Sequence, residues 1–172
     1  MSDNAYQIKE ESPAHYEAIR HVTQAAFAPM SFSSGTEAKI IETLRAEGDL
    51  SLSLVAMGQS GLLGHCAFSP VKITGAAGSW YALGPIAVGP SDQRKGLGRA
   101  LVTEGLSRLQ TQGAQGCVVI GNPQIYSRFG FHSDGQLISG ALDRALVQRI
   151  IFQGSAPFGN VSFAPAFDLD RP

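Results

Sequence analysis

Apolar residues follow two rhythms along this chain. In residues 36–47, Ile40, Ile41 and Leu44 fall on one stripe, and from residue 97 a longer stripe runs through Leu97, Ala100, Leu101, Leu106 and Leu109. Both match the 3.6-residue period of amphipathic helices, and Gly48 and Gly113 are placed to end them. Continuous or alternating apolar runs at 50–57, 62–73, 80–88 and 116–121 predict strands. Gly58-Gln59-Ser60-Gly61 joins the first two runs as a hairpin. Upstream, residues 5–9 predict a strand, and Ser12-Pro13 starts a helix that runs to about Phe27. Residues 28–35 form an aperiodic connection. Beyond Gln136 the pattern predicts a short helix near Leu142, a strand over 147–152, a loop over 154–159 and a last strand over 160–164. This alternation of strands and helices defines an α/β fold: a mixed central sheet with helices on both faces. No repeat or linker divides residues 1–172, so a single domain is expected.

Composition narrows the functional classes. A 172-residue chain with 44% hydrophobic and 16% charged residues can bury a sizeable core. Its net charge of −1 provides no general attraction to nucleic acid or an anionic membrane. Cys66 and Cys117 lie in apolar runs without a CxxC partner, which predicts two free thiols and no metal site. The first twelve residues, MSDNAYQIKEES, lack the basic and apolar regions of a leader, and no apolar run approaches the ~20 residues of a membrane span. A cytoplasmic protein is expected.

The candidate chemistry is concentrated in residues 83–102, LGPIAVGPSDQRKGLGRALV: a strand, a Gly/Pro turn, then a helix opening on glycines and cations. A helix start offers unpaired N–H groups and the positive end of the dipole, which suit an anion. Arg94, Lys95 and Arg99 add cationic side chains around that point. A dinucleotide fingerprint would need a glycine three residues beyond Gly98, where Leu101 stands. A P-loop would need Gly-Lys followed by Ser or Thr, whereas Lys95 precedes Gly96.

Gln93-Arg94-Lys95-Gly96-Leu97-Gly98 resembles the coenzyme A pyrophosphate loop of the GNAT superfamily of N-acetyltransferases: Gln or Arg, two residues, Gly, one residue, then Gly or Ala. Downstream, Tyr126-Ser127-Arg128-Phe129-Gly130-Phe131 is similar to the closing motif of the same family. The resemblance is best over residues 52–131. It implies the GNAT fold, whose fourth and fifth strands splay apart around the pantetheine arm, with the backbone of Ile86, Ala87 and Val88 as hydrogen-bonding edge. It implies coenzyme contacts from Gln93, Arg94, Lys95, Gly96, Leu97, Gly98 and Arg99. The main-chain N–H of Val88 or a neighbour would polarise the thioester carbonyl, and Tyr126 would face the sulfur as general acid.

Acetyl-CoA is therefore the expected cosubstrate, and a primary amine of a small molecule, or an exposed amino group, the expected acceptor. Many relatives carry a Glu on the fourth strand, but residues 79–88 contain no acid. His65 on the preceding strand and Glu37 at the start of the second helix are the alternative candidates for the base, Glu37 also as a binder of a cationic acceptor. A non-catalytic coenzyme-binding sensor and an acyltransferase with another donor or acceptor are the competing readings. Met30 and Phe32 in the 28–35 connection bear on the acceptor. An exposed edge on the last strand would allow a homodimer.

Overall fold

The computed structural model describes residues 6–170, so Ala5, expected in the first strand, lies outside the described residues. Strand β1 (Tyr6–Glu10) is followed by a 3-10 turn at Pro13–His15 and helix α1 (Tyr16–Phe27). Helix α2 (Glu37–Ala46) precedes strands β2 (Leu52–Gly58), β3 (Gly61–Gly75) and β4 (Trp80–Val88). Then come α3 (Leu97–Thr111), β5 (Gly116–Ile120) and a one-turn α4 (Pro123–Tyr126). Strands β6 (Leu137–Ile138), β7 (Val147–Ile151) and β8 (Phe158–Ser162) complete the order.

The main sheet runs β1-β2-β3-β4-β5-β7, antiparallel except for the parallel β4–β5 pair. Strand alternation divides its side chains between two layers. Leu54, Cys66 and Phe68 pack with Leu97, Leu101, Leu106 and Leu109 of α3. On the other face, Val55 meets Ile19 of α1 and Ile41 of α2, and Ala87 meets Val22 and Ala26 of α1. Gly105 sits in the middle of α3 because a Cβ there would penetrate the Phe68 ring.

Three features of the C-terminal third depart from the sequence pattern. The helix expected near Leu142 is a turn, with Leu142 N–H donating to Ser139 C=O at 3.1 Å, followed by a 3-10 turn at Arg144–Leu146. The helix after β5 is instead α4, whose N-terminus Asn122 caps by accepting from Gln124 N–H at 2.9 Å. The last strand starts at Phe158 because Gly159, which reads as a loop residue, lets β8 pass the Thr74 side chain with φ +101. This strand is also not an exposed edge. It pairs with residues 72–75 of β3 on one side and with β6 on the other, which removes the geometric ground for the expected dimer.

Candidate active site

β4 and β5 pair only from Trp80–Ala82 to Gly116–Val118 and then part. A bulge accompanies the parting. Two steps on β3, from Cys66 to Phe68, face three on β4, from Ile86 to Leu83. The extra residue falls at Gly84-Pro85, where Gly84 has φ +128, a conformation that favours glycine.

The hydrogen-bond phase of the parted segment follows from its register. Gly89 N–H donates to Leu63 C=O at 2.9 Å, so Leu63/Gly89 and His65/Ala87 are the hydrogen-bonded pairs. Ile86 and Val88 therefore turn their N–H and C=O groups toward the gap. Ala87 is a correction: its main-chain groups are spent on His65 of β3 and its methyl is covered by α1. Val88 C=O is also occupied, accepting from the Gln93 side-chain amide at 2.9 Å. Gln93 thus braces the loop against the strand instead of directing that donor outward.

The loop delivers α3 through two left-handed residues, Arg94 at φ +64 and Gly96 at φ +86. Arg94 is the one non-glycine residue with positive φ among the described residues, a sign of backbone strain that the sequence pattern does not carry. Ala100 N–H is the first in the helix to reach an intrahelical acceptor, Gly96 C=O at 3.0 Å. The N–H groups of Leu97, Gly98 and Arg99 ahead of it are left for an external partner, and no side chain caps this helix. The Leu97 side chain itself is buried in the core.

Arg94, Lys95 and Arg99 are exposed and form no ion pair among the described residues. A fourth cation, Arg128, joins them in space. Arg99 and Arg128 line a groove of about 460 Å³ along α3, with Thr103, Ser107 and Phe129 among its other walls. Arg128 lies 29 positions away in sequence, so only the packing of the turn after α4 against α3 brings it here.

Tyr126 closes α4 and packs on the same apolar cluster as Ile86 and Val88. Its ring meets Phe131 edge-on at 6.1 Å between centroids and Phe129 tilted at 6.5 Å. Gly121 makes room for it, since a Cβ at that position would strike the ring. Burial, then the nearby Cys66 thiol, raises the Tyr126 pKa above its ordinary value, so the phenol holds its proton throughout the neutral range. Its hydroxyl makes no hydrogen bond among the described residues. Cys66 and Cys117 are free, buried thiols whose pKa values burial raises. Among the described residues no group of three His, Cys, Asp or Glu is placed to hold a metal ion, and no helix is long and apolar enough to cross a membrane.

The two candidate bases have different surroundings. His65 is completely buried on the α1/α2 face, with Nε2 2.7 Å from Ser53 Oγ. Burial is the main reason its pKa falls from 6.5 to about 4; Glu11 raises it and Arg45 lowers it. Glu37 accepts a hydrogen bond from Ser33, whose Oγ also takes Gly35 N–H at 3.0 Å. Its carboxylate is used to tie down the connection between α1 and α2.

Residues 16–131 match the model of the acetyltransferase (GNAT) family, and the chain belongs to that family. Among curated proteins, it is 44% identical over 102 residues to the uncharacterized N-acetyltransferase YhbS of Escherichia coli strain K12. That match spans 59% of this chain and 61% of the relative. A crystal structure of a GNAT family acetyltransferase from Brucella melitensis in complex with acetyl-CoA superposes with a TM-score of 0.84 at 42% identity, covering 95% of this chain and 98% of the other. The YhbS structure from Escherichia coli in complex with CoA gives 0.82 at 32% identity, over 95% and 92% of the two chains.

Proposed function

We propose that this chain is one N-acetyltransferase domain that moves an acetyl group from acetyl-CoA to a primary amine. The observation that carries this reading is a donor track of unpaired backbone groups: the free edge of β4 in the gap and, at the α3 start, the N–H groups of Leu97, Gly98 and Arg99. Tyr126 packs on the same apolar cluster as Ile86 and Val88 of that edge. A pantetheine arm is amide-rich and extended, so it suits the outward-facing Val88 N–H and Ile86 C=O in the gap. The pyrophosphate suits the α3 start and the cations Arg94, Lys95 and Arg99, while Arg128 adds charge for the remaining phosphate. Two relatives with acetyl-CoA or CoA bound support the assignment of donor.

Chemistry at the thioester needs three things from the protein. Ile86 N–H, farther along the gap from the α3 start than Val88, stabilises the oxyanion that develops on the carbonyl. Tyr126 protonates the departing thiolate, for which its raised pKa keeps it ready. A base must accept the proton that the amine nitrogen loses. Ala87 and Gln93 take supporting places in this scheme, the first in the sheet and the second under the loop. Glu37 stabilises the connection on the acceptor side, where Phe32 is 80% exposed and available to an incoming molecule.

The direct test combines acetyl-CoA with a diamine, an amino sugar, an aromatic amine, a free amino acid and a short peptide, and follows release of the coenzyme thiol. Turnover with one of these classes is expected. Tight acetyl-CoA binding without thiol release across the panel would favour a coenzyme sensor instead.

A further inference from the structure

Among the polar side chains buried outside the donor track are Ser53 and Gln148. Ser53 joins His65 to the Glu11–Arg45 ion pair: its O–H donates to the Glu11 carboxylate and its oxygen accepts from His65 Nε2 at 2.7 Å. That chain stays on the α1/α2 side of the sheet. Gln148 of β7, 1% exposed, leads to the site instead.

Gln148 stands where the β5–β7 ladder fails. The register pairs Val119 with Gln148 and Ile120 with Val147, so Gly121 and Leu146 come next as a hydrogen-bonded pair. Only half of that pair forms. Gly121 N–H donates to Leu146 C=O at 3.2 Å, but Leu146 N–H turns away to Asp143 C=O at 2.9 Å, drawn into the 3-10 turn before β7. The Gly121 carbonyl is left without a main-chain donor among the described residues. Gln148 Nε2 supplies one at 3.0 Å, a side chain in place of the missing rung. Directly opposed residues share a face, so Gln148 lies in the layer of Val119, which packs with Tyr126 and Phe131. The amide is held there at a cost, since its Oε1 is buried without a partner among the described residues. What it secures is the Gly121 backbone.

Gly121 is the seat of Tyr126. A Cβ at Gly121 would lie 2.5 Å from Tyr126 Cε2 and 3.1 Å from Cδ2, so the ring rests directly on the glycine backbone. The next residue, Asn122, accepts from Tyr126 N–H at 3.1 Å through its main-chain carbonyl. The phenol hydroxyl makes no hydrogen bond among the described residues, so its direction depends on how the ring is seated. We infer that Gln148 is a positioning residue: through the Gly121 carbonyl it fixes the Tyr126 ring so that the phenol O–H is directed at the departing thiolate. This rests on the acetyltransferase reading, in which Tyr126 gives its proton to the coenzyme sulfur as the C–S bond breaks. A misplacement of roughly 1 Å can cost a reacting group about a hundredfold in rate, so a shift of Gly121 that leaves the fold intact is enough to disable the acid.

The test is a double-mutant cycle on the full chain, with acetyl-CoA and an amine from the panel above. Gln148→Met keeps the length of the side chain and removes the donor. It is expected to lower kcat by about tenfold or more, with KM for acetyl-CoA within about twofold. In the Tyr126→Phe background it should lower the residual kcat by less than about twofold, since a seat without a hydroxyl has no acid to aim. A loosened fold would instead cost the same factor in both backgrounds. Equal losses in the two backgrounds, or an unchanged kcat in Gln148→Met, overturn the proposal. Gln148→Leu gives the same reading should the Met variant fail to fold. NMR of protein carrying ring-¹³C tyrosine, with the Tyr126 signal identified by its loss in Tyr126→Phe, separates the seat from the reaction. Gln148→Met should shift that signal and leave those of Tyr6 on β1 and Tyr16 on α1 in place, and an unmoved Tyr126 signal overturns the proposal as well. Should the wild type release no thiol with any amine, the acetyltransferase reading fails and the catalytic consequence of Gln148 with it, whereas the Tyr126 shift still decides whether Gln148 sets the seat.

Discussion

Two alanine substitutions at the start of α3, two residues apart, should have opposite effects on stability. At Gly96 the backbone is left-handed, φ +86, and a Cβ built there meets nothing within 4 Å. The cost of Gly96→Ala is therefore conformational alone, roughly 1–2 kcal/mol. At Gly98 the backbone is helical and the nearest atom to an added Cβ is a Val88 methyl at 3.6 Å, an ordinary contact. Gly98→Ala should gain up to about 1 kcal/mol from helix propensity. The two variants then differ by about 2 kcal/mol, or roughly 5 °C in melting temperature for a domain of this size. Urea denaturation measures the difference, and calorimetric titration with acetyl-CoA measures its functional counterpart. Gly96→Ala should weaken binding because it reorients the loop in front of α3, and Gly98→Ala should bind acetyl-CoA nearly as wild type does. This would account for the Gly-or-Ala pattern of the resembling motif at its last position. Equal stabilities, or a Gly98→Ala protein less stable than wild type, would refute the backbone reasoning.

Further predictions concern the acid, the buried histidine and the core. Tyr126→Phe should lower kcat by about a hundredfold or more with little change in KM for acetyl-CoA, and thiol release at the wild-type rate would remove Tyr126 from the chemistry. His65 falls from 6.5 to about 4 on folding, so between those values the unfolded chain binds more protons and stability rises with pH. Acidification through this window should cost the wild type up to about 3 kcal/mol more than His65→Gln, whose amide can still donate to Ser53; parallel stability-against-pH curves would contradict it. Gly105→Ala places a methyl in the Phe68 ring and should destabilise the fold by about 1–3 kcal/mol, as measured by urea midpoint.

Local chemistry made much of this protein legible before any folding was considered. Stripes and β-branched runs located α2, α3 and β2 to β5 because burial of one face imposes a period on the chain. The glycines and cations of residues 93–99 indicated an anion site because short-range backbone geometry is written in neighbouring residues, and their resemblance to the GNAT loop, with Tyr126 downstream, implied a coenzyme A thioester as donor. The elements missed were short ones. β6 has two residues and α4 four, too few to establish a period, and Gly159 belongs to a strand only because Thr74 lies against it.

Relations between distant segments were a different matter. The sequence by itself determined the class of fold and, through the resemblance, singled out residues 93–99 and Tyr126 as candidates for the donor loop and the acid. Only the tertiary structure decided that Ile86 and Val88, not Ala87, face the gap, since hydrogen-bond phase depends on the register with β3. It also brought Arg128 beside Arg99 and linked Glu11, Ser53 and His65 into one chain across three separate segments. Those residues carry no mutual spacing in the sequence. Their geometry, and in the case of His65 its basicity, arise from burial and register, which exist only once the sheet has formed.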